Sequence, residues 1–481
     1  MIIQYSIITV YFVMVFVIGA RVSPKLNDKE FCGHQMGIWY VVFASAGEWL
    51  GGTATAGVTE YGFLFGLSGA WYTIANAMGV MFLAFFLVKL YRKIGRMTIG
   101  GIIEFYFGRQ VQFISSIVMI FILFAVGVSQ VIAAGKLGQT LIGLKFSYSA
   151  IICISFFIVC TIGGGMKAIA HTNIFHMVIM YVGFLVAVMY FIYSFGGIEQ
   201  FKDNTIIMSN KMGIDFFSMK AIGVPKISSW IVASVLGAAT AQAGIQPILA
   251  SKDDLSARKA CILIAVLVAP FGFLTSLLGI ICRVLSEQGC LYGVDGIQIT
   301  DSKMALSTLT AHLPSVLSGI MLSAELAAIL STIAPIILAI GTIVIRDICP
   351  NLSSGNHSEY MRLVYMRKIY ICVGGVICGS AICMENQVRL LDIVYSAYSL
   401  RGVMLLIILA GIFLNNLNSR DINITVFCSF CITVFWTIYK IKFGYYPIAD
   451  WFTETFATLV LSVFLILTFN VVNKTRSCWY K

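Results

Sequence analysis

The sequence predicts an all-α integral membrane protein with about thirteen transmembrane helices. Composition points there first. The 481 residues are 59% hydrophobic and only 11% charged, a balance that would leave a water-soluble domain of this length with a largely apolar surface. The second observation is the spacing of the apolar runs. They recur at about 20 residues, the helical length that crosses a hydrocarbon core of about 30 Å, with short polar stretches between them. The third is the placement of the basic residues. With the N-terminus outside, 20 of the 32 Lys and Arg fall in inside segments, so the positive-inside rule predicts N-out, C-in. The net charge of +11 is thereby an orientation signal and not a nucleic-acid footprint.

The predicted spans lie near 3–20, 37–60, 66–90, 111–134, 147–164, 173–194, 228–248, 260–283, 313–345, 368–384, 388–413, 422–439 and 450–472. The first lacks a basic leader and is followed by Arg21, Lys25 and Lys29, so it reads as a span and not a signal peptide. The second contains GEWLGGTATAG, with Gly47, Gly51, Gly52 and Gly57. The seventh contains GAATAQAGIQP, with Gly237, Gly244 and Pro247. Gly and Pro weaken a helix locally and can free carbonyls for ions. Small residues also serve close helix packing, and composition alone does not choose. The two segments sit five spans apart, as the first helices of two five-helix repeats would. The ninth span, AELAAILSTIAPIILAIGTIVIR, carries Glu325, Ser331 and Thr332. Ala328, Ser331 and Thr332 share a helix face at i, i+3 and i+4. Two hydroxyls and a carbonyl suit a small hard cation, although such hydroxyls also bond back to their own turn.

Charges inside spans are costly and usually face a cavity or a partner. Glu48, Glu325, Asp392 and Arg401 stand in or at the edges of spans, so at least one pair is expected among them. Arg401 can hold a substrate carboxylate or one of those acids, and Asp392 reads as solvated or capping. Trp71, Tyr72, Asn76, Gln130, Gln242, Gln246, Tyr395 and Tyr398 are further candidates for the walls of a small-solute pocket. The thirteen cysteines show no metal-ligand spacing; Cys282 and Cys290 flank an outside loop and could pair. No phosphate-binding loop, nucleophile elbow or HExxH is present, so neither ATP-driven transport nor hydrolysis is supported.

Four stretches make the chain resemble the sodium:solute symporter family: GEWLGGTATAGVTEYGF, RKIGRMTIGGIIEFYFGR, GIQPILASKDDLSARKA and AAILSTIAPIILAIGTIVIRDI. The resemblance implies a LeuT-type 5+5 inverted repeat with extra helices at both ends, within one multi-pass domain over 1–481. Its parts would be an N-terminal helix and loop (1–36), a first repeat (37–194), a second repeat (228–413) and two C-terminal helices (422–472). It implies symport of a small organic solute by alternating access across the cytoplasmic membrane, with Na⁺ as the coupling ion and no organic cofactor. The implied sodium ligands are the carbonyls of Gly47, Leu50 and Ala328 and the hydroxyls of Ser331 and Thr332. The expected partners are solute, sodium and the lipid bilayer, with no nucleic acid. For the solute, Glu48 is the first candidate, with Trp71, Gln242 and Arg401 beside it. Two departures stand out. GGGMKAIAHTNIFH carries Asn173 and His176 where the family usually has Asp and Gln, which places a second sodium site in doubt. Glu48 and Glu325 are not standard there, so proton coupling through either is the alternative. A membrane sensor with a symporter-like input domain is a further one.

Overall fold

The computed structural model describes residues 2–22, 35–162, 165–291, 301–349, 359–386 and 389–479. Lys25, Lys29, Gly163, Gly164 and Lys481 lie outside them. Among the described residues the chain is helical, with no sheet and one isolated bridge between Met36 and Ser251.

Helix α1 spans Ile2–Val22. The second predicted span is broken. Helix α2 (Ile38–Trp49) stops at Leu50, and a π-helical turn (Thr53–Gly57) leads into α3 (Val58–Phe65). A 3₁₀ turn (Gly66–Ala70) joins α3 directly to α4 (Trp71–Phe82). A second π turn (Leu83–Leu87) continues into α5 (Val88–Ile94). A short helix, α6 (Ile99–Phe107), is capped by Thr98, whose hydroxyl accepts from Gly101 N–H. Three long helices come next: α7 (Arg109–Ile142), α8 (Phe146–Ile162) and α9 (Gly165–Ser194). Helix α10 (Ile198–Met212) is polar and lies between spans.

The seventh predicted span is broken as well, into α11 (Val224–Ala238) and α12 (Gln242–Leu249). Helix α13 (Asp254–Glu287) begins at an Asp253 cap. The Ser256 amide and hydroxyl bond that carboxylate and hold its pKa below the ordinary range. Then come α14 (Ala305–Ala311), α15 (Ser315–Ile343) with a closing π turn (Val344–Ile348), α16 (Glu359–Met384), α17 (Leu390–Phe413), α18 (Ser419–Phe443) and α19 (Glu454–Trp479).

Among the described residues each of the thirteen predicted spans lies mainly on helix. By length and apolarity alone, however, eleven described stretches qualify to cross a membrane, with Phe146–Val159 shorter. The difference has a physical source. The break at Leu50 leaves α2 only 12 residues long, and the 3₁₀ turn fuses α3, α4 and α5 into one stretch, Thr53–Ile94.

The buried centre is α15, packed against α1, α2, α7 and α9. The two broken helices touch. The Ser45 hydroxyl donates to the Gly244 carbonyl at 2.8 Å, and Met36 exchanges backbone bonds with Ala250 and Lys252. At one end of the bundle Asp392 is not a solvated cap. It pairs with Lys226 at 2.9 Å and Lys440 at 3.5 Å and accepts from the Tyr61 hydroxyl at 2.8 Å, tying α3, α11, α17 and α18. At the other end Asp347 accepts from Thr98, Gln112 and Ser116 at 2.9, 3.2 and 3.0 Å. Beside it Arg92 pairs with Asp254 at 2.7 Å and donates to the carbonyls of Leu249 and Ser251. Cys282 and Cys290 are both free thiols, the first buried and the second exposed, so the possible bridge is not formed.

Helices α3 and α13 approach without side chains between them. A Cβ on Gly279 would lie 2.6 Å from the backbone of Gly62. Gly279→Val should therefore destabilise the protein by about 1–3 kcal/mol or more. Gly375→Val, at a position with open space around it, should not. Thermal unfolding of both variants in detergent checks this.

Candidate functional site

The site is built at the α2 break. The last regular bond of α2 runs from Leu50 N–H to the Ala46 carbonyl. The Gly47 carbonyl beyond it accepts instead from the Thr332 hydroxyl of α15. On the far side of the break Gly52 N–H donates to Gln130 Oε1 of α7 at 2.6 Å. The opened backbone is thus satisfied by side chains of two other helices, as a buried break requires. Glycine is required there: a Cβ on Gly51 would collide with Thr332 and lie 2.9 Å from Gln130 Oε1.

The two hydroxyls of α15 behave differently. Ser331 bonds back to the Ala328 carbonyl at 2.8 Å, the local arrangement open to any helical Ser. Thr332 does not; it crosses to another helix. Gly47, Leu50, Ala328, Ser331 and Thr332 are all fully buried. Four of their oxygens form two hydroxyl–carbonyl pairs, all neutral and hard, a donor set suited to Na⁺ and unsuited to a soft transition metal. Among the described residues no cluster of His, Cys, Asp and Glu could hold a metal ion. Asn173 borders the set. Its amide donates to the Phe43 carbonyl at 3.1 Å and the Ser331 carbonyl at 3.4 Å. Where the resemblance implies Asp, the chain has a neutral donor. His176, one turn on, meets the Tyr11 hydroxyl at 3.0 Å.

Glu48 sits in the last turn of α2 and meets Arg401 of α17, Oε1 to Nη2 at 2.8 Å, with both side chains wholly buried. One of the expected pairs therefore forms, and it is this one. Around it, Thr53 bonds the Tyr72 hydroxyl at 3.0 Å, the Arg401 guanidinium lies 4.5 Å over the Tyr398 ring, and Tyr395 stacks on Trp230 at 4.7 Å.

The other two solute candidates lie elsewhere. Trp71 Nε1 donates to the Met219 carbonyl at 2.8 Å, away from the pair, while its neighbour Tyr72 faces the pair's aromatic wall. Gln242 is spent on the start of α6, accepting from Ile99 N–H at 2.8 Å and donating to the Met97 carbonyl at 3.1 Å. Glu325 stands apart from all of these, accepting from Thr310 of α14. Gln130 and Thr53 carry more of the site than their sequence context suggests. The signal for Gln130 is an amide in the middle of a mostly apolar span.

A family model described as "Sodium:solute symporter family" matches residues 31–422. Solute carrier family 5 member 4 of Rattus norvegicus is 23% identical over 388 residues, covering 71% of this chain. The aligned region takes in only 57% of the rat protein's length. A sodium/glucose cotransporter of Vibrio parahaemolyticus is 23% identical over 383 residues, covering 74% of this chain and 70% of that protein. The solved structure of a Na⁺-coupled sialic acid symporter in a substrate-bound outward-open state superposes with a TM-score of 0.78. It covers 98% of this chain and 96% of its own, at 15% identity. That likeness establishes the LeuT-type fold. A match of this extent to the family model shows that the protein belongs to the sodium:solute symporter family.

Proposed function

We propose that the chain is a secondary active symporter that couples Na⁺ to the uptake of a small organic solute across the cytoplasmic membrane. The observation that carries this reading is the Thr332–Gly47 contact, a hydroxyl and a carbonyl freed by the break and brought together from separate helices. In this reading the carbonyls of Gly47, Leu50 and Ala328 and the hydroxyls of Ser331 and Thr332 replace the water shell of the ion. The 37–194 and 228–413 segments are the two inverted repeats, flanked by 1–36 and 422–472, and the N-terminus is outside. Sodium binding would add an attraction between α2 and α15 that only one arrangement of the two helices provides. A ligand shifts a conformational equilibrium through such a difference in affinity. The Asp392 and Asp347 clusters are the contacts that alternating access would have to open in turn, one at each end of the bundle. Solute binds beside the break, with Glu48 and Arg401 as the candidates nearest it; the other two candidates, Trp71 and Gln242, bond the Met219 carbonyl and the start of α6.

One observation keeps a proton-coupled variant in view. Glu325 is buried in α15, and among the described residues no cation lies within ion-pair distance of it. The Thr310 hydroxyl has one proton and two acceptors in reach, the Leu306 carbonyl and Glu325. A Glu325 that itself donates would complete both bonds. Glu48, already paired to Arg401, is less suited to carry a proton.

Two measurements test these readings. In sodium titrations of solute uptake into vesicles, Thr332→Ala and Ser331→Ala should each weaken sodium activation about tenfold, equivalent to about 1.4 kcal/mol. Thr332→Ser, which keeps the hydroxyl, should stay near wild type. Unchanged sodium affinity in both alanine variants would sink the sodium site. Secondly, Glu325→Gln should retain uptake and its pH profile at fixed sodium. Loss of uptake with sodium affinity intact would instead put a proton at Glu325 in the coupling.

A further inference from the structure

Resting on the transport reading above, the Glu48–Arg401 pair also defines the class of solute. The pair is only half made. Glu48 Oε1 meets Arg401 Nη2, and Glu48 Oε2, Arg401 Nε and Arg401 Nη1 have no partner, although both side chains are completely buried. A pair retained for structure alone would be bidentate or would have its remaining groups bonded by neighbours, because a buried unpartnered polar group costs about 1–3 kcal/mol and more when charged. The neighbours do not supply those bonds. Thr53 is engaged with Tyr72, and Thr240 bonds the backbone carbonyl of Arg401 and not its guanidinium.

The geometry of guanidinium sets what would fit. Nη2 belongs to two donor edges, one shared with Nε and one with Nη1. Glu48 takes a single contact through Nη2, so whichever edge it approaches, the other still presents two parallel N–H groups. That is the pattern a carboxylate accepts bidentately. Glu48 Oε2 at the same place asks for a donor, best a cationic one. The pair itself is net neutral, so a solute bearing only a carboxylate would bring a second negative charge against Glu48. A solute bearing only an amine would bring a second positive charge against Arg401. We propose that this site takes a zwitterionic solute of the amino-acid type, its carboxylate on the open edge of Arg401 and its ammonium on Glu48 Oε2. The stack of Tyr395 on Trp230 and the Tyr72 and Tyr398 rings place aromatic surface beside the pair.

Thermal stabilisation of the purified full chain tests this, with matched triplets of probes: L-alanine, propionate and ethylamine; L-proline, cyclopentanecarboxylate and pyrrolidine; L-phenylalanine, 3-phenylpropionate and 2-phenylethylamine. At least one zwitterion should stabilise the wild type at a concentration about tenfold or more below that needed by either singly charged counterpart. Glu48→Gln should lose most of the preference for the zwitterion over the carboxylate alone. Glu48→Asp, which keeps the charge, should retain the preference with weaker binding. The proposal is overturned if no zwitterion stabilises the wild type, if the counterparts act equally, or if Glu48→Gln discriminates as the wild type does. Should Glu48→Gln not fold, the wild-type triplets and Glu48→Asp decide the matter. Running each triplet in sodium and in potassium separates the two readings. Zwitterion preference without any sodium effect would overturn the sodium coupling and leave this assignment standing.

Discussion

The organisation of this molecule depends on how one opened turn of backbone is satisfied inside the membrane. The Gly47 carbonyl and the Gly52 N–H leave the helical ladder, and an unmade backbone bond in hydrocarbon costs several kcal/mol. Two side chains offset that cost: Thr332 from α15 donates to the Gly47 carbonyl, and Gln130 from α7 accepts from Gly52 N–H. Both reach the break only because glycine leaves them room. Remove that satisfaction and α2 would close into a continuous helix. The Gly47 carbonyl would return to its own ladder, and Glu48 would no longer end a helix opposite Arg401.

The same break separates two chemistries by a single residue. Gly47 turns a carbonyl towards neutral hydroxyls, and Glu48 turns a carboxylate towards a guanidinium. Ion and solute, in the proposed function, would therefore be read by adjacent peptide units. That closeness gives a direct route for coupling. A change in the angle at Leu50 alters both sites together, without a relay of side chains between distant positions.

Much of this was legible in the chain. Helix positions followed from apolar length, because lipid permits few other backbone forms. The breaks were marked by glycine clusters, and the expectation of a buried pair followed from the cost of lone charges. Partner choice stayed hidden. Nothing local distinguishes Trp71 from Tyr72, which differ by about 100° on a helix; one meets the Met219 carbonyl and the other faces Tyr395. Gln242 and Gln130 are both amides in broken or apolar segments, yet one serves α6 and the other the break. Asp392 read as solvated because its partners, Lys226, Lys440 and Tyr61, come from three other helices. Ser331 and Thr332 are adjacent and alike in sequence, but only one is free of its own helix, and that depends on where α2 lies.

The 3₁₀ turn at Gly66–Ala70 has a mechanical meaning. It joins α3 to α4 with no loop between them, so the second half of the broken helix and the helix bearing Tyr72 form one elbow. Thr53, at the root of that elbow, is bonded to Tyr72 on its far arm. That bond braces the elbow from within. A swing of α3 about the break would therefore carry the Tyr72 ring with it and slide that ring past Tyr395 and Tyr398, which stay on α17.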